Sequence, residues 1–262
     1  MDLALTGRHA LVCGSTQGIG RAVAQQLALE GVRVCLLARD ATALNAVVAS
    51  LDRSGGQQHS ALAVDMRDTE ALASAVGAHV DRLGPVDILV NNTGGPSPGK
   101  AHESEPAAFA DAFRLHLLAF QTLVRAVVPG MKSRAHGRIL NIISTSVKQP
   151  LPDLGVSNTI RGAVANWGKT LANELGPHGI TVNNVLPGAT DTERLREILR
   201  RRSEKHGITV EAAAQEMIDE IPAGRFARPE EVARAVVFLC SGAAAYINGI
   251  NLPVDGGRTR SL

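Results

Sequence analysis

Residues Ala10-Leu11-Val12-Cys13-Gly14-Ser15-Thr16-Gln17-Gly18-Ile19-Gly20 join a short apolar run to a turn with three glycines and then to the start of an amphipathic pattern. A short apolar run bounded by glycine reads as a buried strand, and the helical periodicity after it as a covering helix. Glycine lets the backbone turn sharply and approach a ligand closely, while the unpaired N–H groups that open a helix stabilise negative charge. Strand, glycine turn and helix in this order predict a cradle for a nucleotide pyrophosphate, built from Gly14, Ser15, Gln17, Gly18, Ile19 and Gly20.

The same alternation runs to the end of the chain. Strands are expected near 8–13, 32–38, 60–64, 86–91, 138–143, 180–186 and 250–254, and helices near 18–30, 41–53, 68–82, 106–129, 156–176 and 229–241. Gly31 is placed to close the first helix and Pro106 to open the fourth. This is the pattern of an α/β protein: a doubly wound parallel sheet with helices on both faces, in three layers. Residues 192–220 depart from it, with an extra helix pair near Glu193–Lys205 and Thr209–Asp219. An insertion there lies over the carboxyl ends of the strands, where open α/β sheets bind ligands, and is expected to form a substrate lid. Its cations Arg194, Arg196, Arg200, Arg201, Arg202 and Lys205 either meet an anionic acyl carrier or phosphorylated substrate, or form a solvated face. The second is preferred, because Glu193, Glu197 and Glu204 interleave with them and Leu195, Ile198 and Leu199 make the buried stripe.

A chain of 262 residues with 45% hydrophobic and 20% charged residues suits one large domain and excludes disorder, collagen and disulfide scaffolds. No apolar run is long enough to span a bilayer and no secretory pattern opens the chain, so a cytoplasmic address is expected. A net charge of +2 and 3% aromatic residues argue against a nucleic-acid partner. Cys13, Cys35 and Cys240 lack metal-ligand spacing and read as buried thiols, so no metal site is expected. There is a single tyrosine, Tyr246.

The glycine turn, Asn91-Asn92-Thr93-Gly94 after the fourth strand and Pro187-Gly188 after the sixth resemble the short-chain dehydrogenase/reductase family. Gly224-Arg225-Phe226-Ala227-Arg228-Pro229-Glu230-Glu231-Val232 and Val254-Asp255-Gly256-Gly257 are similar to its C-terminal segments, so the resemblance covers essentially the whole chain. It implies a Rossmann-type sheet in one domain, a nicotinamide dinucleotide, a small-molecule carbonyl or alcohol substrate, and often a homotetramer. Carried over by position, Asp65 beside Met66 resembles the residue that bonds the adenine amino group, and Asn92 and Gly94 lie beside the cofactor. Pro187, Gly188 and Thr192, or Thr190 in place of Thr192, match the segment that holds the nicotinamide carboxamide. Arg39 stands at the position that prefers a ribose 2′-phosphate and Asp40 reads as a helix cap, so NADP is expected, with NAD as the alternative.

The family's catalytic set of Asn, Ser, Tyr and Lys is altered. Ser144 takes the serine position, but Ser157 stands where tyrosine is expected, Arg161 where lysine is expected, and His116 where asparagine is expected. Gly162-Ala163 and Lys169-Thr170-Leu171-Ala172 fix the register, and Tyr246 falls in a distant connector. An alkyl hydroxyl is a far weaker acid than a phenol, whereas Arg161 keeps a fixed charge that can bind ribose or stabilise an alkoxide. His116 is either a general acid or base, from its ordinary pKa near neutrality, or a packed helix histidine. Three functions remain open at this point: an NAD(P)-dependent oxidoreductase with altered proton transfer, a cofactor-binding sensor or partner subunit, and a non-redox enzyme in the same pocket. Phe109, Phe113, Leu117, Phe120 and Trp167 on the fourth and fifth helices suggest a homotetramer, with a dimer as second choice.

Overall fold

Side-chain alternation in the strands decides which layer each helix joins. The computed structural model describes residues 2–261. Strand β1 (His9–Cys13) turns Ala10 and Val12 to one face and Leu11 and Cys13 to the other, and β2 (Arg33–Ala38) divides Val34 and Leu36 from Cys35 and Leu37 in the same way. The first face is covered by α1 (Gly18–Leu29), α2 (Ala41–Ser50) and α9 (Pro229–Cys240), through Val23, Leu27, Leu44 and Val236. The second is covered by α3 (Thr69–Leu83), α5 (Ala119–Ser133) and α6 (Gly155–Leu175), through Val76, Phe120, Leu123 and Val164.

With β3 (Ser60–Ala63), β4 (Ile88–Asn91), β5 (Gly137–Ile142), β6 (Ile180–Pro187) and β7 (Asn251–Val254), the strands form one parallel sheet in the order β3-β2-β1-β4-β5-β6-β7. The chain builds outward from β1 to β3, returns to the centre and builds the other way from β4. The reversal leaves a crevice at the carboxyl ends of β1 and β4, where a ligand fits. A row of asparagines, three buried and the last half-buried, pins the register. Asn91 donates to Asn141, Asn141 to Asn184 and Asn184 to Asn251, each at 2.8 Å, and each pair lies directly opposite across β4, β5, β6 and β7. A slip of one residue would leave these buried amides unpaired.

One expected element is interrupted. In place of a single helix over 106–129, α4 (Pro106–Phe113) passes through a π turn, Arg114–Leu118, into α5, which continues to Ser133. Pro129 does not stop α5, because Met131 beyond it is fully buried and packs where Gly137 has no side chain. The extra helix pair is present as α7 (Glu193–His206) and α8 (Val210–Asp219), joined by a small core of Leu195, Leu199, Ala213 and Met217. Among the described residues no helix is long and apolar enough to cross a membrane.

Candidate active site

A cleft of about 1560 Å³ opens at the carboxyl ends of the strands. Its inner end is the glycine turn. Gly14 takes φ +57 and Gly18 φ +54, conformations that disfavour side chains, and a Cβ on Gly14 would meet Asn92 at 2.8 Å. A Cβ on Gly20 would overlap the Gly14 carbonyl, so this glycine lets α1 pack against the turn behind the cleft. Asn92 braces the loop by donating to the Cys13 and Gly14 carbonyl oxygens, both at 3.2 Å. Gln17, at the N-cap of α1, makes no side-chain cap bond, so the first N–H groups of the helix face the cleft unclaimed by a cap. The cradle fits a pyrophosphate. Ser15 is a correction: it is fully buried, its hydroxyl turned toward the Leu37 carbonyl at 3.5 Å, and it contributes only backbone to the turn.

Arg39, Asp65 and Met66 line the cleft beyond β2 and β3. Asp40 caps α2, accepting from the Ala43 amide at 2.9 Å, which leaves Arg39 as one of two exposed cations at that edge; the other, Arg67, pairs with Asp65 at 3.7 Å. Asp65 accepts from the Arg67 amide at 2.9 Å. On the opposite side lie Gly94, Pro187, Gly188, Thr190 and Thr192. Thr192 also caps α7, accepting from the Leu195 amide at 3.4 Å, and a Cβ on Gly18 would touch its methyl group.

Ser144, Ser157 and Arg161 face the same space. Ser144 follows β5 in extended backbone and accepts from the Ser146 amide at 3.1 Å. Ser157 lies in the first turn of α6 and Arg161 one turn later on the same face. Arg161 is only 6% exposed, and its Nη1 donates to the Ile142 carbonyl at 3.0 Å. Burial and the neighbouring Arg194 lower its pKa to about 10, so it remains a cation at neutral pH. A Cβ on Gly95 would stand 3.8 Å from Arg161 Nη2 and 3.9 Å from Arg194 Nη2, so the two guanidinium groups converge there.

His116 is packed. It is fully buried in the π turn, edge-on to Phe120, and its neighbour Leu115 rather than the ring itself reaches the cleft. Burial first, then Arg161 and Arg67, lowers its pKa to about 2. Fully buried and absent from the cleft lining, the ring does not reach a ligand bound there, which fits the packed-histidine alternative.

The remaining wall is α7. Its cations are paired: Arg194 with Glu197 at 3.1 Å, Arg196 with Asp191 at 3.2 Å, Arg200 with Glu193 at 2.7 Å, Arg201 with Glu197 at 2.6 Å and Arg202 with Glu216 at 2.9 Å. Lys205 pairs with Asp153 at 2.8 Å, and Arg194 donates to the Pro96 carbonyl at 2.8 Å, so α7 is tied to both loops across the cleft. The carboxylates expected to interleave thus neutralise these cations, yet Arg194, Arg201, Arg202 and Lys205 also line the cleft rather than facing solvent alone.

A family model described as enoyl-(acyl carrier protein) reductase matches residues 14–259. The putative ketoacyl reductase of the monensin polyketide synthase from Streptomyces virginiae is 37% identical, over 96% of this chain and 97% of its own. The chain belongs to the short-chain dehydrogenase/reductase family. A 3-oxoacyl-[acyl-carrier-protein] reductase of Vibrio cholerae serotype O1 is 32% identical, over 97% of this chain and 98% of its own. L-sorbose reductase from Gluconobacter frateurii, solved with NADPH and L-sorbose, superposes with a TM-score of 0.94 at 34% identity over the whole of both chains.

Within this short-chain dehydrogenase/reductase fold, Ser144, Ser157 and Arg161 line the cleft together, while His116 stays behind it. Tyr246 is fully exposed and lies outside the cleft lining. Two contributors escaped the sequence reading. Thr16 lines the cleft from inside the glycine turn, where its place in the motif was a usable signal. Arg194 was legible only as a lid cation, because nothing in its own helix shows that it reaches Pro96 and Gly95.

Proposed function

We propose that this protein is an NADP-dependent reductase of a small carbonyl compound, working without the family's phenol. The observation that carries the reading is one continuous cleft with a pyrophosphate cradle at one end and Ser144, Ser157 and Arg161 facing the other. The preference for NADP over NAD rests on Arg39, an exposed cation after β2 that has no carboxylate partner among the described residues once Asp40 is used as a cap. The cradle is made by Gly14, Gln17, Gly18 and Ile19, with Asp65 and Met66 at the adenine side and Asn92, Gly94, Pro187, Gly188, Thr190 and Thr192 at the nicotinamide side. NADPH, when bound, supplies a hydride. The Ser144 and Ser157 hydroxyls orient the carbonyl oxygen, and the fixed charge of Arg161 stabilises negative charge that develops on it. Ser157 holds its own proton too tightly to give it up freely, so the proton that completes the alcohol is drawn from water along its hydroxyl. Losing a positioned general acid typically costs ~10²–10⁴ in rate, so turnover of ordinary ketones is slow.

Helices α7 and α8 act as the substrate lid, closing the cleft through their ties to Pro96 and Asp153. Relatives named for acyl-carrier-protein substrates make a carrier-linked thioester one candidate. The protein works in the cytoplasm as a homotetramer that uses the face around Phe113 and Leu118. The test is loss of NADPH absorbance with a panel of ketones, oxo acids and thioesters, with calorimetric titration of NADP and NAD. Turnover that depends on Arg161 and tighter NADP binding are expected. Tight NADP binding without any turnover would leave a cofactor-binding protein instead.

A further inference from the structure

One cation differs from all those around it. Each arginine and lysine of α7 that lines the cleft has a carboxylate partner, whereas Arg161, at the floor, has none among the described residues. It is 94% buried by its 6% exposure, its Nη1 is spent on the Ile142 carbonyl, and its Nε is buried without a partner. Its neighbours do not relieve the imbalance, since Glu197, the carboxylate beside Arg194, is already shared by Arg194 and Arg201. Arg194 brings a second guanidinium to Gly95, and His116 behind it is neutral. A buried charge is stable only when paired, and a guanidinium matches a carboxylate with two parallel hydrogen bonds.

A ribose diol would satisfy donors here but not the charge. The cofactor's phosphates are held elsewhere, by the glycine turn and the opening of α1. The phosphate of a carrier arm would lie at the mouth, among cations already paired. We propose that Arg161, assisted by Arg194, is the receptor for a carboxylate on the substrate, which makes that substrate a short oxo acid. The separation follows from α6, on which Ser157 and Arg161 stand about 6 Å apart along the axis, one turn. A carbonyl at Ser144 and Ser157 then leaves room for a carboxylate one or two carbons away. This assignment rests on the reductase reading above and explains why neutral ketones would be poor substrates: they leave the floor of the cleft uncompensated.

Two measurements test it on the full chain. The first compares NADPH consumption with acetoacetate and with methyl acetoacetate, which differ in the charge and one methyl group. Wild type should favour the acid by ~10²-fold or more in kcat/KM, and Arg161→Gln should bring the ratio near one. The second titrates malonate, which cannot be reduced, into protein saturated with NADP, by calorimetry. Binding is expected in wild type and in Lys132→Ala, an exposed cation at the end of α5 outside the cleft lining, and should be lost in Arg161→Gln. If Arg161→Gln does not fold, Arg194→Ala should still weaken malonate about tenfold.

Equal turnover of acid and ester, no malonate binding by wild type, or binding that survives both arginine substitutions would overturn the proposal. Malonate binding that NADP displaces would overturn it too, by assigning the anion site to the cofactor. Malonate binding that requires Arg161, with neither compound consuming NADPH, would support the carboxylate receptor and remove the reductase reading instead.

Discussion

Serine at 157 and arginine at 161 form one chemical unit, because a phenol needs a nearby cation to bring its pKa from ~10 toward neutrality. Replacing Ser157 by tyrosine and Arg161 by lysine together should raise reduction of simple ketones by ~10²-fold or more, while either change alone falls short. Steady-state rates of the three variants decide this, and a wild type that is already fast on ketones and indifferent to Arg161→Ala would refute it. His116 matters for stability instead. Its folded pKa of about 2 lies below the ordinary 6.5, and burial depresses His9, to about 4, in the same direction. Between those values the unfolded chain binds more protons than the folded one, so stability is full above about pH 6.5 and declines as the pH falls. Each such histidine steepens the decline by ~1.4 kcal/mol per pH unit. Urea unfolding at pH 7 and pH 5 should therefore show a shallower acid loss in His116→Asn than in wild type.

Among the elements, the π turn and the α7–α8 pair are the two that depart from the regular alternation, and each departs where it meets the cleft. The turn Arg114–Leu118 buries His116 while placing Leu115 on the cleft wall. Helices α7 and α8 hold together through few buried side chains, chiefly Leu195, Leu199, Ala213 and Met217. Exposed ion pairs along α7 each contribute only ~0–1 kcal/mol, so this small apolar cluster decides whether the pair stays folded. Leu199→Ala should cost ~2–5 kcal/mol locally, more than so small a unit can lose. Limited proteolysis is then expected to cut within 193–219 while the main thermal transition of the sheet stays in place. A single cooperative transition at lower temperature, with no preferential cutting, would show that the helix pair is part of the main core.

For the whole molecule, the exposed apolar side chains are placed unevenly. Phe113 is 38% and Leu118 42% exposed on neighbouring turns of α4 and the π turn, whereas Phe120 is fully buried and Trp167 is tied to Gln121 by a hydrogen bond of 2.9 Å. Of the aromatic residues first grouped as an assembly face, part belongs to the core and part remains outside. A second copy covering Phe113 and Leu118 would remove that patch from water. Light scattering at micromolar concentration should give four chains per particle, with Phe113→Glu shifting the mass downward; a wild-type monomer would refute the assembly.

Local signals in the chain were enough for nearly all the elements, their order and the glycine turn, and they put Ser144, Ser157 and Arg161 where strand and helix meet the cleft, because strand and helix periods, turn glycines and motif spacing are properties of contiguous residues. The Asp40 cap was legible for the same reason: its bond spans three residues. Contacts between distant segments were not legible. Nothing near Asn91, Asn141, Asn184 or Asn251 announces that they meet in one row, since only the pairing of four strands brings them opposite. The burial of Ser15, the withdrawal of His116 and the convergence of Arg161 with Arg194 at Gly95 were likewise decided by packing. A histidine's pKa and an arginine's lack of a counter-ion depend on how much water and which charges surround them, and those neighbours come from elsewhere in the chain.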